Sequence, residues 1–215
     1  MARRCKNLAG DLERSVESSL EMLEAVEAAA QLARRGTKPS PSLYAHRIEL
    51  FYEMGFLRMF IAWENFLEQS FYRYLCGHRN ANGVEPIVPP APFRTIQDAE
   101  AHVLNNKPFV LWHSPSRVWN RAHGMIPGGL HEQVIGSNIA ALDRYGAVRH
   151  RIAHAQADAR IKFDQASMRL TGKRYRGARP GKLLRDWYLR SAPIPKRWVE
   201  MIGDEFVNLG YQIVP

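Results

Sequence analysis

The six residues Arg149-His150-Arg151-Ile152-Ala153-His154 bring together two imidazoles and two guanidinium groups. An imidazole titrates near neutral pH, so it can take a proton from a hydroxyl or return one to a leaving oxygen. A guanidinium stays charged and stabilises negative charge growing on a phosphoryl oxygen. Those groups suit chemistry on a phosphodiester, with RNA cleavage the leading expectation. The surrounding charge points the same way. Between residues 144 and 197 there are 15 Lys/Arg against 3 Asp/Glu, a balance of +12, while the rest of the chain carries 15 against 18, or −3. A cationic segment on a mildly acidic body is a directional surface, and polyanions are its natural partners.

The elements that must position these groups read as helices. Leu8, Leu12, Val16, Leu20, Leu23, Val26 and Ala30 recur at three- and four-residue spacing and predict a helix over 7–35. Gly36 and Lys38-Pro39-Ser40-Pro41 should end it. A second helix is predicted over 42–75, with Leu50, Met54, Leu57, Phe60, Trp63, Leu67, Phe71 and Tyr74 as its core stripe and Gly77 as its stop. Residues 78–93, with Pro86, Pro89, Pro90 and Pro92, predict an extended excursion. A short helix over 96–104 follows, then an irregular insertion over 108–129 in which 109–112 has strand character.

Beyond it, a helix over 130–143 leads into a regular one over 144–170. Tyr145, Val148, Ile152, Ala155, Ala159, Phe163, Ala166 and Leu170 form the apolar face of that element. A basic loop over 171–194 opens at Gly172, and a last helix over 195–209 carries Trp198, Ile202, Phe206 and Leu209, with Pro195 in its first turn. The expected fold is all-α: one helical bundle domain over 1–215, with long antiparallel helices and inserted loops.

On a continuous 144–170 helix, His150 lies nearly opposite the centre of the apolar face, His154 roughly 145° from it and Arg149 about 75° away. Both histidines should therefore face outward. Spacing alone is weak support, because Arg followed five residues later by His also occurs at Arg73 and His78. That copy sits at a helix end beside Gly77 and is set aside. One helix cannot enclose a substrate, so a site here needs a second surface, most simply the same motif from a second copy across a twofold axis.

Arg149-His150-x-x-x-His154 resembles the signature of HEPN domains, in which Arg is followed by a polar residue, three variable residues and His. Its surroundings are similar to the RiboL-PSP-HEPN branch: Ile152-Ala153-His154-Ala155, Asp158-Ala159-Arg160, Phe163, Thr171-Gly172, Pro180 through Trp187, and Ala62-Trp63-Glu64-Asn65-Phe66-Leu67 upstream. The resemblance covers most of residues 44–198, without a match for the Pro-rich excursion or the tryptophan-containing insertion.

The resemblance implies a homodimeric, metal-independent endoribonuclease of toxin or defence type, needing no cofactor, with two motifs forming one composite site. His154 would act as general base or acid, Arg149 would stabilise phosphoryl charge, and His150 would orient the site. RNA is the expected partner, together with an antitoxin or a neighbouring defence-system protein. Arg151, Lys173, Arg174, Arg176, Arg179, Lys182 and Arg185 are candidate RNA-binding residues, with Tyr175, Trp187 and Tyr188 interleaved as stacking platforms or core residues.

Other readings stay open. His150, His154 and Asp158 at i, i+4 and i+8 suit a metal site, or Asp158 orienting His154, although Arg151 stands where a metalloprotease motif needs Glu. A helical module that binds RNA or a nucleotide without turnover is the main rival. Trp112, His113, Arg117, Trp119, Arg121 and His123 form a looser cluster that suits RNA contact or packing. No Gly-rich phosphate loop, carboxylate pair or nucleophile elbow is present, and Ser114 and Ser116 lack an elbow's glycines. No run approaches the ~18 apolar residues that cross a bilayer. Cys5 and Cys76 are too few for a disulfide framework and suit reduced thiols in the cytoplasm.

Overall fold

Hydrophobic periodicity becomes eight helices among the described residues, which in this computed structural model are 4–5, 7–35, 44–80, 82, 87, 89, 91–190 and 194–215. They are α1 (Leu8–Arg35), α2 (Ala45–Leu75), α3 (Ile96–Leu104), α4 (Pro115–Met125), α5 (Leu130–Ala153), α6 (Ala157–Thr171), α7 (Pro180–Arg185) and α8 (Trp198–Ile213). The strands β1 (Trp187–Leu189) and β2 (Lys196–Arg197) pair antiparallel, Trp187 opposite Arg197 and Leu189 opposite Lys196. The protein is all-α apart from this ribbon. The expected stop at Gly36 through Pro41, and Pro86 and Pro90 of the excursion, lie outside the described residues.

Where the sequence pattern predicts one domain, contacts cluster in two compact units, and α1, α2, α5 and α8 contribute to both. The first unit comprises Met1–Glu13, Ala62–Asp143 and Phe206–Pro215. Its core is aromatic. Trp63 stacks on Phe66 and Phe206 at centroid distances of 5.7 and 5.3 Å, and Trp112 packs edge-on against Phe71 and Tyr72. Burying each such ring contributes about 1.5–3 kcal/mol.

The second unit comprises Arg14–Ile61 and Arg144–Glu205. Val16, Leu23, Ile48, Tyr52, Phe56, Val148, Phe163, Leu183, Leu184 and Ile202 are buried there. Gly55 lets α1 and α2 approach closely, since a Cβ there would stand 3.1 Å from Leu23 Cδ1.

Five expectations need correction. The regular helix predicted over 144–170 is two helices: α5 runs unbroken from 130 through 153, residues 154–156 leave helical geometry, and α6 begins at Ala157. Neither Gly nor Pro marks the break. A tertiary contact makes it: the Arg151 side chain donates from Nη1 to the His154 carbonyl at 3.0 Å and from Nε to the Ala178 carbonyl at 3.2 Å. These bonds satisfy a carbonyl that further helix would otherwise have bonded. Asp158 then sits in the first turn of α6, where the helix dipole favours a carboxylate.

On α2, Leu50 and Met54 are exposed, at 53% and 61%, because the buried face is instead Ile48, Tyr52, Phe56, Met59 and Phe60. The bulkier aromatic edge wins the core and turns the aliphatic edge outward. The insertion at 108–129 contains α4, and 109–112 forms no strand, having no neighbouring strand with which to pair. The basic loop contains α7 and β1. Finally, Pro195 precedes β2 and lies outside α8, which starts at Trp198. The stops at Gly77 and Gly172 hold, both at φ +71°, a conformation glycine adopts without strain.

Candidate active site

The last turn of α5 and the break that follows carry the motif. The His154 amide donates to the His150 carbonyl at 3.0 Å, the final helical bond, and then the chain turns away. This exit keeps the two imidazoles together: their ring centroids are 4.7 Å apart, tilted by 54°. His154 is exposed, His150 keeps 34% of its side-chain surface and Arg149 is half-buried. Angles drawn on a continuous helix do not describe His154, yet the histidines remain accessible as expected.

Asp158 faces His150, with Oδ2 3.9 Å from Nε2, and pairs more closely with Lys162 at 2.9 Å. Burial pushes the His150 imidazole below its usual pKa, with His154, Lys162 and Arg149 adding to the effect and Asp158 opposing it. At neutral pH His150 is therefore the neutral ring, able to accept a proton at one nitrogen and donate at the other. Among the described residues, no three His, Cys, Asp or Glu side chains cluster as metal ligands.

The candidate RNA-binding cations divide by what they touch. Arg151 spends its guanidinium on the two carbonyls that fix the break and the basic turn. Arg185 forms a bidentate pair with Glu27, Nε–Oε1 2.6 Å and Nη2–Oε2 3.0 Å, both side chains largely buried. Tyr52 and Arg197 complete that cluster at 3.0 and 3.6 Å. Burial alone would raise the Glu27 carboxyl, but Arg185, Arg197 and Tyr52 hold it below its usual range. Arg185 is thus an anchor of the second unit, which corrects its expected place on the RNA surface. Arg179 pairs with Glu49 yet stays 44% exposed, and Lys173 reaches Asp186 at 2.5 Å. Arg174, Arg176 and Lys182 are exposed.

The aromatics divide too. Tyr175 is buried and donates to Asp186 at 2.8 Å, so it supports the turn. Trp187 and Tyr188, at 38% and 45% exposed, stand on β1, with the Arg197 guanidinium 4.4 Å from the Trp187 ring.

No family model, curated protein or solved structure matches this chain.

What fixes the basic turn was invisible in the sequence. Gly181 donates its amide to Glu53 at 2.9 Å, and a Cβ there would fall 2.2 Å from the Glu49 carbonyl oxygen. Only glycine fits. Glu27 lies on α1 and Glu49 and Glu53 on α2, and nothing local in the sequence ties them to partners 128 to 158 positions away. Lys162 was also missed, although Asp158 four residues before it on one helix was a usable signal. The discarded second copy is structural: Arg73 donates to the Gln69 carbonyl and to its Oε1 at 2.8 and 2.7 Å, and His78 is buried.

Proposed function

We propose that the protein is an endoribonuclease that works without a metal, in which Arg149, His150 and His154 of two copies form one composite site. The observation that carries this reading is the accessible His150–His154 pair, 4.7 Å apart at the end of α5, in the same unit as Arg149 and the exposed cations of the 173–182 turn. The likeness of the motif to HEPN nucleases supports it.

In the reaction, the 2′-oxygen forms a bond to the adjacent phosphorus and the bond from phosphorus to the 5′-oxygen breaks. One imidazole takes the 2′-hydroxyl proton, and an imidazolium returns a proton to the departing 5′-oxygen, leaving a cyclic phosphate and a 5′-hydroxyl. His154 of the two copies would divide these roles, Arg149 would stabilise the phosphoryl oxygens, and the neutral His150 would orient the attacking group. Lys173, Arg174, Arg176 and Lys182 would hold the strand, with Trp187 and Tyr188 available to stack on bases. The exposed Leu50, Met54 and Ile61 edge of α2 belongs to the same unit and is apolar surface that a second copy would cover. Such an enzyme would act in the cytoplasm as a toxin or defence effector, held in check by a partner protein.

The experiment is incubation of the purified chain with total RNA in the presence of chelator, alongside Arg149→Ala and His154→Ala. Fragments ending in cyclic phosphate, absent with either variant, are expected. Cleavage that requires added divalent metal would overturn the mechanism. A second reading, RNA binding without turnover, is favoured by the exposed Arg174, Arg176 and Lys182 of the basic turn, which would hold RNA whether or not the imidazoles act. It predicts bound but uncut RNA.

A further inference from the structure

The first unit holds a cavity of about 690 Å³, and none of Arg149, His150 and His154 is among its lining residues. That volume lies within the ~300–1,000 Å³ typical of small-ligand sites. Its walls come from the end of α3, the 107–111 segment and α4. Val103, Pro108, Phe109, Val110 and Leu111 give it an apolar side, and Lys107, Arg117 and Arg121 give it three cations, with no acidic residue among the described residues of the lining. α3 ends on Asn105 and Asn106, both left-handed at φ 43° and 61°, which turns the chain into this segment.

Arg121 is the telling residue. Its guanidinium lies 4.6 Å from the Trp112 ring centroid, and Nη1 is buried with no hydrogen-bond partner. The neighbouring carboxylate, Glu68, instead accepts at Oε1 from Trp112 Nε1 and Tyr72 Oη, at 2.9 and 3.2 Å. Burial lowers the Arg121 pKa, and Arg117 lowers it further against the pull of Tyr72 and Glu68. A buried guanidinium nitrogen without an acceptor is costly, and Arg121, with Arg117, is one of the cations that line this cavity, where an anion would gain charge-assisted hydrogen bonds. On the apolar side, Phe109 is 65% exposed, an aromatic face left open.

We propose that this cavity binds a small organic phosphate with a flat apolar body, of the nucleoside monophosphate type. Its phosphate would be held by Arg117 and Arg121, and its ring would lie against Phe109. Three lining cations, against one nearby carboxylate, Glu68, that already accepts from Trp112 and Tyr72, favour a phosphate over a carboxylate, since a phosphomonoester carries close to two negative charges at neutral pH. The open aromatic and the aliphatic wall favour a planar body over inorganic phosphate.

The test is titration calorimetry of the full chain with adenosine 5′-monophosphate and, separately, with inorganic phosphate. The nucleotide should bind at least about tenfold more tightly than phosphate alone, and Arg121→Gln should weaken it by about tenfold or more. Because Arg121 is half-buried, Arg117→Gln and Phe109→Ala, both at exposed positions, provide variants that fold normally. Each should weaken the nucleotide severalfold, while His154→Ala leaves it bound as before. No heat at millimolar nucleotide, undiminished binding by both exposed-position variants, or binding lost in Arg149→Ala instead would overturn the assignment. These outcomes are independent of whether RNA is cut.

Discussion

α5 carries histidines at both ends, and their surroundings are opposite. His131, in the first turn, is 1% exposed, bonds Ser70 Oγ through Nε2 at 2.8 Å, and meets Phe71 and Tyr74 edge-on at 5.3 and 5.6 Å. Burial pushes its pKa down to about 3. His150, in the last turn, and His154 beyond it have solvent access, cationic neighbours and each other. One residue type on one helix thus serves as neutral core packing at one end and as an addressable proton carrier at the other. Residue identity does not decide which role a histidine plays; the surface covering it does.

Substitution at the exposed end should separate function from stability most sharply. His154→Ala is expected to lower RNA cleavage by about 10²-fold or more, the range of a lost general acid or base, while changing unfolding free energy by no more than about 0.5 kcal/mol, as for other exposed positions. Fragment yield and a urea melt on the same preparation check both halves. If the melt shifts as far as the cleavage falls, the contrast between the two ends collapses. His131→Ala should do the reverse, costing about 3 kcal/mol in the melt because it opens a cavity among Phe71, Tyr74 and Ser70. At a temperature where that variant remains folded, its cleavage should survive.

The same contrast explains what the sequence could and could not reveal. Helix existence was readable because each long helix repeats its apolar residues every three or four positions, and all four positions predicted for α8, Trp198 through Leu209, are buried. The motif was readable because residue type and spacing are local. The break at 154–156 was not, because the apolar period runs through it from Ile152 to Ala159 with no Gly or Pro. Its cause is the side chain of Arg151 reaching a carbonyl 27 residues away in the chain. Arg185 and Arg174 look alike in sequence; only Glu27, 158 residues before Arg185, makes one an anchor and leaves the other on the surface. Long-range partners of charged groups carry no periodic signal.

Acid should expose the buried end next. The folded-state pKa of His131 is about 3, below the ~6.5 of an unfolded histidine. Protons therefore bind the unfolded chain first. Stability from this group is full above pH 6.5 and is lost as pH falls from there toward 3, at up to about 1.4 kcal/mol per pH unit. Urea melts between pH 7 and 5 should show this slope, and His131→Phe should flatten it. An unchanged slope in that variant would mean that His131 is not the buried neutral ring described here.

The smallest effect sharpens the exposed end. Lys162 lowers the His150 pKa by its charge and also engages Asp158, the one nearby group that raises it. Lys162→Gln removes both influences, so the His150 titration should move upward, read from its imidazole carbon-bound proton by NMR. Lys162 is 56% exposed, so solvent screens much of the interaction and the melt should not change. Because His150 must be neutral to accept a hydrogen bond from the attacking hydroxyl, the acidic limb of the cleavage profile should shift toward higher pH with it. A His150 titration that moves while the cleavage profile stays fixed would remove His150 from the reaction and leave His154 and Arg149 to carry it.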